Sequence, residues 1–154
     1  MQNKQENRRE YMRVKSAIHF CINVIEGIDE ETGKYLYGKC FSASTTDISL
    51  GGMCISHSGD INVGFGLEIS TPEKKTKAAC MTCENAYLHN NPLALTPIFG
   101  TVVWMTSDRC GVKFSNLSVR NENILSKYIW EAHLDGVRNT KKHMGKRKFY
   151  LFFD

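Results

Sequence analysis

The chain has 154 residues, 42% hydrophobic and 23% charged, with 20 Lys and Arg against 16 Asp and Glu for a net charge of +4. That size suits one domain with its own core, and that balance is that of a soluble globular protein and excludes a disordered or a membrane one. Its longest apolar stretch, Ile98 to Met105, is interrupted by Gly100 and Thr101 and is too short to cross a bilayer.

Residues 1–13 carry charges of both signs and no apolar segment, so they read as a flexible arm, neither a secretory leader nor an anchor, and the cytoplasm is the expected compartment. From Val14 the pattern alternates. Val14, Ile18, Phe20, Ile22 and Val24 fall on one side, and Lys15, His19 and Asn23 on the other, as in a half-buried strand. Glu30 to Lys34 reads as a polar turn and Tyr35 to Thr46 as the returning strand of a long hairpin. Short strands are then expected at Met53 to Ser56, Gly66 to Ser70, Lys77 to Leu88, Phe99 to Met105 and Cys110 to Phe114, each bounded by Gly, Pro, Asn or Asp. Six or seven such strands predict a mainly β fold, an antiparallel barrel or sandwich over residues 14–117. Ser118 is placed to cap a helix in which Ile124, Leu125, Tyr128, Ile129 and Ala132 recur at helical spacing, with Gly136 as its expected end and a basic, aromatic tail to residue 154. Trp104, in an apolar strand, is expected in the core.

Catalytic and metal signals are weak. His57 has no orienting carboxylate or oxyanion hole at recognisable spacing. Cys80 and Cys83 would face opposite sides of a strand, and no second CxxC or His pair completes a zinc site. The six cysteines are expected as reduced thiols, some of them buried. Neither catalytic nor metal-ligating residues are assigned, and no cofactor.

Two short motifs carry the functional reading. The first is Arg9-Glu10-Tyr11-Met12-Arg13 in the arm, and the second is Asp47-Ile48-Ser49-Leu50-Gly51-Gly52 after the returning strand. In a chain of this makeup RxxxR arises by chance roughly 0.3 times and DxSxxG roughly 0.03 times, so the pair in this order is about a one-in-a-hundred event. An arginine fork can hold two phosphate oxygens or the O6/N7 edge of guanine in parallel hydrogen bonds. Asp, Ser and Gly together are also what an ordinary turn favours, so the second motif alone is equally a local device.

With these motifs the chain resembles the PilZ domain family of bacterial cyclic di-GMP receptors, whose hallmark is RxxxR followed by D/N-x-S-x-x-G, met here by Arg9, Arg13, Asp47, Ser49 and Gly52. The likeness extends to the late strand pair Gly100 to Trp104 and Cys110 to Phe114 and to the C-terminal helix. It implies a six- to seven-stranded antiparallel PilZ-type β-barrel with a C-terminal α-helix. It also implies a non-enzymatic effector that passes nucleotide binding to a protein partner, in control of motility, polysaccharide or virulence. The implied ligand set is Arg8, Arg9, Arg13, Asp47, Ser49, Gly51 and Gly52. Asp47 would accept from guanine N1 and N2 hydrogens, and Ser49 would offer its hydroxyl to a phosphate or base. Gly52 would supply a positive backbone angle or a close ligand approach. Arg8 would stack on a guanine face and favour an intercalated nucleotide pair.

Two other readings stay open. One is a PilZ-fold adaptor that binds only proteins. The other is a barrel for single-stranded nucleic acid, disfavoured because no strand shows the exposed, alternating aromatics of a stacking platform. Nucleic acid and membrane insertion are not expected, whereas an unidentified protein partner is.

Overall fold

The computed structural model describes residues 11–57, 59, 61–71 and 93–150, with side chains to residue 138. Seven strands form one antiparallel sheet: β1 (Val14–Lys15), β2 (His19–Ile28), β3 (Tyr35–Ile48), β4 (Gly52–Ser56), β5 (Gly66–Ser70), β6 (Ile98–Met105) and β7 (Arg109–Phe114). Helix α1 (Val119–Tyr150) follows. The strand order is β1-β3-β2-β5-β6-β7-β4 with a further β3–β4 pairing. That pairing joins the two ends of the run from β3 to β4, so six strands close into a ring and no edge is left between them.

The alternating stripe read from the sequence is the core. Val14, Ile18, Phe20, Ile22 and Val24 are all buried, together with Ile48, Met53, Ile55, Leu67, Ile69, Val102 and Val112. The first strand is nevertheless not continuous: it breaks after Lys15 and resumes at His19, so β1 and β2 lie one after the other along the same edge of β3. Ser16 and Thr45 hold the break, with Ser16 N–H donating to Thr46 O at 3.1 Å and the Thr45 hydroxyl donating to Ser16 O at 2.7 Å. Nor is β2 half-exposed, since Cys21 and Asn23 are as buried as the core stripe and both faces are covered from Phe20 to Val24. The turn lies where expected. Asp29 N–H donates to Lys34 O at 2.8 Å, and Gly33 supplies the positive φ of 71° that closes the loop.

Two other expectations are corrected. Trp104 is 42% exposed because a bulge between Val102 and Trp104 inserts Val103 and reverses the alternation, so Val102 points inward and Trp104 outward over Gly111. Helix α1 does not end at Gly136 but continues to Tyr150. Its start is as read: Ser118 Oγ accepts from the Asn121 N–H at 3.1 Å, the geometry of an N-cap. Leu125 and Ile129 are buried, and Ile124, Tyr128 and Ala132 pack against the core beside them. Two polar tethers seat the helix on the barrel. Asn121 bonds both backbone groups of Thr96 at 3.0 Å, and the Tyr128 and Ser16 hydroxyls meet at 2.6 Å next to β1. The expected strand from Lys77 to Leu88, with Cys80 and Cys83, lies outside the described residues.

Candidate functional site

The second motif is a short return between β3 and β4. Ser49 N–H donates to Gly52 O at 2.8 Å, while Ser49 Oγ lies 3.1 Å from Gly51 N, 3.3 Å from Gly52 N and 3.3 Å from Gly52 O. The Ser49 side chain therefore satisfies two backbone donors that the turn would otherwise leave without a partner, and Ser49 is itself buried. From the other side, Phe114 N–H donates to Gly51 O at 2.9 Å, locking the turn to the end of β7.

Gly52 is the first residue of β4 and pairs with Lys113. Its φ is not positive; the requirement is space, because a Cβ there would stand 2.1 Å from Val112 O. Thus the glycine admits the neighbouring strand's backbone. At Gly51 a Cβ would stand 2.9 Å from Tyr11 Cδ2, so the ring between the two arginines of the first motif rests on this turn.

Arg13 and Asp47 come together. Arg13 Nη1 is 3.8 Å from Asp47 Oδ1, with side chains 44% and 32% exposed. At that distance the pair is an ion pair without a hydrogen bond, and solvent exposure limits its worth to about 0–1 kcal/mol. Lys15 lies directly opposite Asp47 in the β1–β3 register, so two cations flank one carboxylate at the mouth of the turn. Arg8 and Arg9 lie outside the described residues.

Next to Arg13 opens a cavity of about 590 Å³ between β1 and α1, lined by Arg13, Val14, Lys15, Ala132, His133, Gly136 and Val137. Its helical wall was not anticipated from the sequence. A glycine in mid-helix beside a histidine was the available signal, and it reads more naturally as a helix end. His133 is braced by Trp130 one turn back, with ring centroids 5.6 Å apart.

No group of three or more potential metal ligands occurs among the described residues, and no helix there is long and apolar enough to cross a membrane. Cys110 has its thiol pushed up to about 11 by burial and, secondarily, by Cys54 nearby, so at neutral pH it is a core thiol in its protonated form.

The closed antiparallel barrel thus carries a DxSxxG turn whose aspartate is ion-paired to Arg13. Residues 7–130 match the PilZ domain family, and the chain belongs to it. Among solved structures it is similar to the PilZ domain of Escherichia coli YcgR with c-di-GMP (14% identity, 88% of this chain and 98% of that one, TM-score 0.50). It is similar also to the longer E. coli YcgR in complex with c-di-GMP (16% identity, 88% and 50%, TM-score 0.54). A third likeness is to the Bacillus subtilis inhibitor of motility, MotI/DgrA (13% identity, 83% and 52%, TM-score 0.52). The chain spans about half the length of these last two. A search of curated proteins found no match.

Proposed function

We propose that the protein is a non-catalytic receptor for cyclic di-GMP, acting in the cytoplasm, in which the arm through Arg13 closes on the ligand against the barrel. The observation that carries this reading is the ion pair between Arg13 and Asp47, which brings two motifs 34 positions apart in sequence to one mouth. Arg9 and Arg13 grip phosphate oxygens or guanine O6/N7 edges, and each charge-assisted bond contributes about 1.5–3 kcal/mol. Asp47 exchanges a weak, solvated ion pair for the N1 and N2 hydrogens of guanine, a donor edge that adenine lacks in this form. Ser49 keeps the turn's backbone in place, Gly51 makes room for the Tyr11 ring and Gly52 for the passing β7 backbone, so the turn meets the ligand as a fixed surface. Arg8 stacks on a guanine face and favours a bound nucleotide pair.

Arm closure also supplies the output. Tyr11 already rests at Gly51, so ordering the residues before it builds a new surface over the turn. A protein partner reads that surface, in control of motility or polysaccharide production. Support for such an output comes from two similar proteins, one solved with c-di-GMP and one an inhibitor of motility.

A titration calorimetry series decides the reading. Cyclic di-GMP is expected to bind the wild-type chain at micromolar affinity or tighter, with GTP and cyclic di-AMP far weaker, and the Arg9→Ala/Arg13→Ala chain is expected to show no heat. Absence of binding by the wild-type chain at high protein concentration would overturn it. The adaptor reading would then lead, favoured by the exposed Ile28, Tyr35 and Leu36 at the tip of the β2–β3 hairpin.

A further inference from the structure

We infer that the chamber between β1 and α1 is the third wall of the nucleotide site, taking one guanosine monophosphate half of the cyclic dinucleotide, with His133 and Gly136 as its specificity-determining helical residues. This inference rests on the receptor reading above and extends the site to an element outside both motifs. Three observations carry it. Arg13 belongs to both places: it faces Asp47 at 3.8 Å and also lines the chamber. The lining is chemically divided. Arg13, Lys15 and His133 supply donors for a phosphate or a carbonyl edge, and Val14, Ala132 and Val137 supply an apolar wall for a base. At about 590 Å³ the chamber falls within the roughly 300–1,000 Å³ typical of small-ligand sites.

Gly136 itself adds to these. Glycine inside a helix costs helix stability relative to alanine, and such a residue normally answers to a close neighbour. Gly136 is exposed and a Cβ there would have nothing within 4 Å, so no packing contact calls for glycine. The missing side chain matters once a ligand fills the space that residue 136 borders. Trp130 lies against His133 with ring centroids 5.6 Å apart and the planes tilted by 32°, and an imidazole on that wall can donate or accept at its nitrogens.

The test compares wild type, Gly136→Leu and His133→Ala by calorimetry with cyclic di-GMP, with thermal melts of each chain. Gly136→Leu is expected to keep or raise the melting temperature, because the position is open and leucine is the better helix former, while weakening binding tenfold or more. His133→Ala is expected to lose about three- to tenfold in affinity with an unchanged melt. Wild-type affinity, within twofold, in both variants would place the ligand elsewhere and overturn the inference while leaving the receptor reading intact. A marked drop in melting temperature for Gly136→Leu would show that the glycine serves the fold and would likewise count against it. No binding by the wild-type chain would overturn both.

Discussion

The Ser49–Gly52 turn and Arg13, which face each other across the site, are held by different means. The turn has the Ser49 N–H and both backbone groups of Gly51 and Gly52 engaged by a neighbour, a buried serine at its start, and a strand passing 2.1 Å from where a Cβ of Gly52 would lie. Arg13 is held by one 3.8 Å ion pair in water and is 44% exposed. On the proposed reading, such a site has one half built before the ligand arrives and one half that the ligand must order. The rigid half supplies geometry and the loose half supplies most of the charge, so changes in the two should separate stability from affinity.

Gly52→Ala is the strongest way to break the rigid half. The added methyl meets backbone, which cannot rotate away as a side chain can, so the β4–β7 pairing must open locally. A loss of about 3 kcal/mol in unfolding free energy is expected by urea denaturation, and binding should fall with it. A variant as stable as wild type would mean that the strands part easily and that the turn is not preformed.

Arg13→Ala should do the opposite. Its exposed pair adds little to the fold, so the unfolding midpoint should stay within about 1 kcal/mol of wild type while cyclic di-GMP affinity drops about tenfold or more. Calorimetry and denaturation on the same preparation would show the split. A comparable loss in both would erase the distinction between the two halves.

Ser49→Ala sharpens the contrast within the turn. Removing the hydroxyl strips the acceptor from Gly51 and Gly52 N–H groups, at a cost of about 1 kcal/mol and a melting temperature lower by about 2–4 °C. If the turn's role is to hold geometry, affinity should fall by less than for Arg13→Ala.

The smallest effect concerns Cys110, on the strand beside β4. Its thiol holds its proton up to about pH 11 in the folded chain against an ordinary 9.0. The folded state therefore binds more protons between those values, so the thiol's contribution is intact below pH 9 and is lost as pH rises toward 11. Urea midpoints at pH 8 and pH 10 should differ more in wild type than in Cys110→Ala. Equal slopes would show that the thiol is not shielded.

Local chemistry alone determined much of this protein. Alternation at Val14, Ile18, Phe20, Ile22 and Val24 marked the core face because side chains alternate across any strand, whatever it pairs with. Ser118 was legible as a cap because the bond it makes spans only three residues. The two motifs were legible as residue types, and the hairpin turn at residues 30–34 as a polar break.

Tertiary structure decided the rest, because the causes lie far away in sequence. Gly52 is needed for Val112 O, 60 positions on, and no local pattern reports that approach. Trp104 left the core through one inserted residue in β6, which reverses the parity that any alternation rule assumes. Gly136 resembled a stop, yet the helix continues, because hydrogen bonds on both sides carry it past one glycine and tethers at Asn121 and Tyr128 hold its first turns on the barrel. The meeting of Arg13 with Asp47, and of Arg13 with the chamber under α1, exists only after β1 pairs with β3 and the helix lies beside β1: the residue types are local, but their convergence follows from chain closure.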